Sequence, residues 1–137
     1  MRPPRDTPVR SLVAAALVAV IAGVHFEQYV DFMSEVPTVG VLFLLNAAGG
    51  AGLACALLSG DSQLRLLAAV GATGLAAGSL VSIAIALSGS FFGYSEPTLR
   101  LPIVIAILAE AVAIPVLISM LARERPNATK PAVTGSR

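Results

Sequence analysis

The sequence predicts an all-α, four-helix transmembrane bundle with short loops and both termini on the cytoplasmic side. Three observations carry this reading. Of 137 residues, 56% are hydrophobic and only 12% charged, with a mean hydropathy of +0.85. Apolar runs of membrane-spanning length recur along the chain, and the basic residues gather on one side of them. A soluble domain of this length carries about twice that charge fraction. The net charge of +1 gives no concentrated basic surface for phosphate neutralisation, so no nucleic-acid partner is expected. The single cysteine, Cys55, lies within an apolar run and excludes an intrachain disulfide.

A bilayer core roughly 30 Å thick takes about 20 apolar residues in a helix. The first run, Ser11 to Phe26, is short for this and contains His25. It reaches span length by starting near Pro8, with Arg10 snorkelling, or by running on through Glu27 to Val30. Three arginines precede this run, so a cleaved signal peptide is an alternative, but no clear A-x-A site closes it and its apolar character continues past Phe26. Val39 to Leu58 and Leu66 to Leu87 contain no charged residue, and Leu101 to Ala122 contains one, Glu110. Ser59 to Gln63 is a tight turn, so the second and third helices form a close antiparallel pair. The expected organisation is a flank at 1–8, a transmembrane domain at 9–122 with spans at about 9–29, 38–59, 65–88 and 101–122, and a disordered tail at 123–137 rich in Pro, Ala, Thr, Gly and Ser.

Eight of the nine Lys and Arg residues fall in the N-terminal flank, the middle turn or the tail, and Arg100 alone falls on the other side. The positive-inside rule makes the first side cytoplasmic. All seven aromatic residues lie in or near the two opposite loops, together with Glu27, Asp31, Glu35 and Glu96.

Small residues recur at helical spacing. Gly71, Gly74, Gly78 and Ser82 share a face of the third helix, and Asn46, Gly49 and Ala56 share one on the second. Lipid offers little hydrophobic drive between helices, so such stripes are read as packing faces, within the chain or between chains. The expected partners are the lipid bilayer and either other membrane helices or a second copy.

Glu110 is the least expected residue. It lies nine residues into its run from Leu101, about 13 Å deep at about 1.5 Å per residue. A carboxylate near the midplane costs several kcal/mol unless protonated, paired or facing water. Asn46 comes out at nearly the same depth, and Ser79 and Ser82 are the other polar groups near it. The expectation is a neutral Glu110 hydrogen-bonded to one of them, Asn46 foremost, with Pro115 loosening the helix at the Ala111 carbonyl. A functional reading would make this group a proton or cation site. Near the outer edge, His25, Glu27 and Tyr29 form a second candidate site. One histidine among flexible carboxylates is a poor zinc set and excludes bis-histidine haem within the chain, so neither metal nor other cofactor is expected. No nucleophile motif accompanies His25, so no enzyme activity is expected.

The pattern Ala22-Gly23-Val24-His25, Tyr29, Pro37-Thr38-x-Gly40-x-x-Phe43-Leu44-Leu45-Asn46-Ala47, Phe91-Phe92-Gly93-Tyr94-x-Glu96 and Ala109-Glu110-Ala111 resembles small four-span integral membrane proteins of actinobacterial type. The resemblance spans most of residues 9–122 and implies residence in a bacterial cytoplasmic membrane, without supplying an activity. The function expected is a non-enzymatic accessory or structural membrane component. The alternative is a small-solute or proton-coupled carrier using Glu110 and Asn46.

The orientation is directly testable. With Cys55 replaced by Ala, a cysteine introduced at Ser34 is expected to react with an impermeant thiol reagent on intact cells, and one at Thr129 only after lysis. The reverse pattern contradicts the assignment.

Overall fold

The computed structural model describes residues 6–124, so most of the expected tail and the first residues of the flank lie outside it, while Arg123 and Glu124, expected in the tail, continue the last helix. Among the described residues there are four α-helices and no strand: α1 (Asp6–Gln28), α2 (Val39–Leu57), α3 (Ser62–Ser88) and α4 (Leu101–Glu124). Each is long and apolar enough to cross a membrane. Successive helices pack side by side, and α4 closes the ring against α1. α1 and α3 therefore sit diagonally, as do α2 and α4. One end carries the α2–α3 turn, the start of α1 and the end of α4, here the terminal end; the other carries the two longer connections, here the loop end.

The helix boundaries have local causes. α3 starts at Ser62 rather than near residue 65 because Asp61 caps it, accepting from the backbone N–H groups of Gln63 at 2.7 Å and Leu64 at 3.1 Å. Ser59 receives the Asp61 N–H and Arg65 donates to the Ser59 carbonyl at 2.8 Å, tying the turn shut. At the loop end α1 does not stop at Gln28. It continues as a π-helical turn over Tyr29–Met33, closed by the Ser34 N–H on the Tyr29 carbonyl at 2.9 Å. Gly40 then meets this turn so closely that any β-carbon would collide with the Met33 carbonyl. Thr38, just before α2, has a φ of 66°, an uncommon conformation for a β-branched residue.

Packing differs between the two halves. In the terminal half the core is mostly alanine: Ala14 and Ala15 from α1, Ala54 from α2, Ala68, Ala69, Ala72 and Ala76 from α3, and Ala109 and Ala113 from α4, completed by Val18, Ile21, Leu57, Leu117 and Met120. Small side chains let backbones approach, which is how helices gain van der Waals contact in lipid. Large apolar residues such as Leu12, Leu45, Leu67, Val81 and Leu108 point outward, as a lipid-facing surface requires.

The glycines sort differently from the sequence expectation. Gly71 and Gly49 do mark a contact between α2 and α3, where an added β-carbon would lie 3.0 Å from Leu53 and 3.7 Å from Leu75 respectively. Gly50, outside the expected stripe, sits tightest against α1, where a β-carbon would stand 3.0 Å from that of Ala22. Gly74 and Gly78 are not in tight contact: nothing lies within 4 Å of a β-carbon built on either. The reason is angular. On α3 the alanines at 68, 72 and 76 turn to the core, whereas Gly74 and Gly78 turn to the side shared with α2, where the helices part.

Candidate functional site

The parting helices leave a cavity of about 510 Å³ in the loop half of the bundle. That lies within the range of small-molecule sites, about 300–1,000 Å³. Its walls are mainly apolar, with Leu42, Leu45 and Phe43 from α2, Leu75 and Ile83 from α3, and Ile103 and Ala106 from α4. Leu42, Leu45, Gly74 and Gly78 line the cavity yet are exposed, so it opens sideways between α2 and α3.

Polar groups enter at two levels. At the inner level α1 supplies His25 and Gln28, one helical turn apart on the same face, α2 supplies Asn46, and α3 supplies Ser79 and Ser82. His25 is 5% exposed and held on three sides. Its Nδ1 donates to the Ile21 carbonyl at 2.9 Å, its Nε2 lies 3.1 Å from Ser79 Oγ across the bundle diagonal, and its ring centroid stands 5.1 Å from that of Phe43. Ser82 is occupied locally, donating to the Gly78 carbonyl at 2.8 Å. Gln28 Oε1 and Asn46 Oδ1 are buried acceptor oxygens with no hydrogen-bond partner.

The second level is the lid. The strand-like corner Phe91–Tyr94 exchanges two backbone hydrogen bonds, 2.7 and 3.0 Å, and turns on left-handed backbone at Phe92 (φ 50°) and Gly93 (φ 83°), the I′ geometry that suits a tight reversal. This folds Glu96 back onto α3, its N–H reaching the Ala86 carbonyl at 2.9 Å. The buried Glu96 carboxyl accepts from the Tyr94 hydroxyl at 2.7 Å and from Arg100 at 2.9 and 3.2 Å, a two-point charge-assisted contact. Arg100 also lies over the Phe32 ring at 4.6 Å, joining the two loop-end connections. Burial by itself pushes the Glu96 carboxyl up, but hydrogen bonds from Arg100 and Tyr94 outweigh it and hold the group below its ordinary value. Burial, reinforced by the hydrogen bond to Glu96, pushes the Tyr94 phenol up to about 12.

Several expected site residues are redistributed. Asn46 and Glu110 do not hydrogen-bond to each other. They stand on diagonal helices, and Glu110 is not among the cavity-lining residues. It is fully buried, with neither carboxyl oxygen hydrogen-bonded. At the edge site, His25 turns inward while Glu27 is exposed and receives only Gln28 Nε2 at 3.3 Å, so His25, Glu27 and Tyr29 do not converge. The sequence reading missed Gln28 and the Tyr94–Glu96–Arg100 lid. Two signals for them were present: Gln28 follows His25 at helical spacing, and Glu96 and Arg100 stand four residues apart just before an apolar run.

No protein family, curated protein or solved structure matches this chain. What the geometry establishes is a multi-pass membrane protein with a laterally open, mainly apolar cavity.

The lid carries a pH dependence. A carboxyl held below its ordinary value stabilises the fold above that value, and the contribution is lost as pH falls through the folded one. The wild-type protein is therefore expected to melt higher than Glu96→Gln at neutral pH, with the difference shrinking once pH falls below the ordinary carboxyl value of 4.5. Thermal unfolding in one detergent across pH 3–7 tests this; a difference that is flat or grows towards acid contradicts it.

Proposed function

We propose that this chain is a non-enzymatic component of the bacterial cytoplasmic membrane, oriented with both termini inside, that takes a neutral, hydroxyl-bearing, lipid-soluble molecule from the bilayer into its cavity. The carrying observation is the pair of unpartnered buried amide oxygens, Gln28 Oε1 and Asn46 Oδ1, beside an apolar chamber that opens sideways. A buried acceptor without a partner costs about 1–3 kcal/mol, and a ligand hydroxyl would recover it. The charged groups argue for a neutral ligand, because Arg100 and Glu96 already neutralise each other at the lid. The bare face of Gly74 and Gly78 supports the same reading, since an opening lined by glycine admits a molecule sliding in from lipid.

The carrier reading has one observation in its favour, a fully buried acid with no hydrogen-bond partner at Glu110. It would make the cavity a halfway chamber for a small solute or a proton rather than a resting site.

The ligand reading is tested by purifying the protein in lipid nanodiscs, extracting it and identifying retained neutral lipids by mass spectrometry. The wild type is expected to retain one neutral hydroxyl-bearing species near equimolar amounts. Asn46→Leu is expected to fold with unchanged thermal stability and retain at least about tenfold less, the equivalent of about 1.4 kcal/mol. Equal retention by both, or no neutral species in either, contradicts the proposal.

A further inference from the structure

A hydroxyl whose proton is already committed can only accept, and the serines at the inner level of the cavity are in that state. Hydroxyls on the helices commonly turn back to their own backbone: Thr73 donates to the Ala69 carbonyl at 2.7 Å, Ser82 to Gly78 at 2.8 Å and Ser88 to Ala84 at 2.8 Å. Ser79 instead meets His25 Nε2 from across the bundle at 3.1 Å. The Ile21 carbonyl only accepts, so at 2.9 Å His25 Nδ1 carries the ring proton. Among the described residues no carboxylate is bonded to either ring nitrogen, and a buried imidazolium without a counter-charge is costly. The ring is therefore neutral, and its Nε2 accepts the Ser79 proton. Gln28 is also set from behind, its Nε2 donating to the exposed Glu27 at 3.3 Å, which leaves Oε1 as a buried acceptor. Asn46 adds Oδ1, buried and without a partner.

We infer that the cavity holds a lipid-soluble diol, a glycerol-type head on an apolar chain, with His25 as the positioning residue that makes Ser79 an acceptor; this rests on the neutral-ligand reading above and narrows its class. One O–H satisfies one acceptor. The unpartnered oxygens of Gln28 and Asn46 stand on different helices, α1 and α2, so pairing both takes two. The oxygens of the same diol remain able to accept from the Asn46 amide nitrogen. An ester, ketone or ether has no such proton to give and leaves these acceptors unpaired, which is the larger loss in a buried site. Asn46 could rotate its amide to suit an acceptor-only ligand, but Ser79 cannot reverse while His25 Nε2 holds its proton.

An acceptor-rich wall also suits an ammonium group, but a cation would find no free counter-charge. The charged residues that line the cavity, Glu96 and Arg100, already pair at the lid. The apolar chain of the diol has a way out past Gly74 and Gly78, where nothing lies within 4 Å of a built β-carbon and the cavity opens between α2 and α3. The head is thereby held among the polar groups of α1, α2 and α3 while the chain stays in lipid.

Three probes with the same alkyl chain test this in lipid nanodiscs: a glycerol monoether with both hydroxyls free, the simple alcohol of that chain, and the glycerol ether with both hydroxyls methylated. The diol is expected to bind the wild type at least about tenfold more tightly than the alcohol, with the methylated ether weakest, because a site built around a ligand hydroxyl rejects the analogue that lacks it. His25→Phe keeps a ring beside Phe43 and releases the Ser79 proton, so the methylated ether should gain at least about threefold in affinity, a gain that vanishes when Ser79→Ala is also present. No gain, or an equal gain in both backgrounds, overturns the role of His25. Since His25 is the chain's single histidine, ¹⁵N spectroscopy of its ring checks the polarity without any variant: Nδ1 protonated and Nε2 bare is expected, and a ring protonated on Nε2, neutral or charged, overturns it. If the simple alcohol binds as tightly as the diol and the methylated ether does not, the diol inference falls while the hydroxyl-ligand reading stands. If the methylated ether binds as tightly as the diol, or none of the three binds, both fall.

Discussion

In a bilayer, helices gain little from hiding apolar surface from one another, so the distance between their backbones governs how much they attract. This bundle meets that constraint with alanine. The terminal half brings all four helices together through alanines on each of them. The lipid-facing sides, by contrast, carry leucine, valine and isoleucine freely. The tight half fixes the axes, and the remaining features follow from where those axes then lead.

Towards the loop end α2 and α3 part, and the space between them is neither filled by large side chains nor closed by glycine contacts. Polar residues on facing helices are thus free to project into a chamber within the membrane region. The lid reinforces the separation. Glu96 draws the loop back onto the end of α3, while Arg100 reaches Phe32 on the other connection, so the chamber is roofed at the loop end and open at the side. Ser79 joins His25 on the cavity wall, while Glu110 is fully buried and stays off the lining with no hydrogen-bond partner.

The four spans were legible because apolar length is a one-dimensional property. Direction around the helix was not legible to the same degree. Gly74 and Gly78 have the spacing of a packing motif, but spacing does not say whether that face meets a helix or a gap. Counting residues gives Asn46 and Glu110 the same expected depth, yet the closed ring of contacts places α2 and α4 diagonally. His25 was read as a membrane-edge residue because the sequence ended its apolar run there. The π-helical turn carries α1 past it to Met33, leaving the imidazole inside and level with Ser79, 54 residues away. The lid escaped notice because its geometry depends on left-handed backbone at Phe92, which composition does not announce.

The central claim is that one half of the bundle is packed to contact and the other is hollow. Two alanines of nearly equal burial separate these cases: Ala72, 0% exposed in the packed core, and Ala106, 3% exposed on the cavity wall. Thermal unfolding of Ala72→Leu and Ala106→Leu in the same detergent tests the claim most directly. Ala72→Leu is expected to be destabilised by about 1–3 kcal/mol through overpacking, whereas Ala106→Leu is expected to match or exceed the wild type as the added side chain fills empty space. Equal destabilisation of the two variants would mean that the loop half is as tightly packed as the other, and the account would fail.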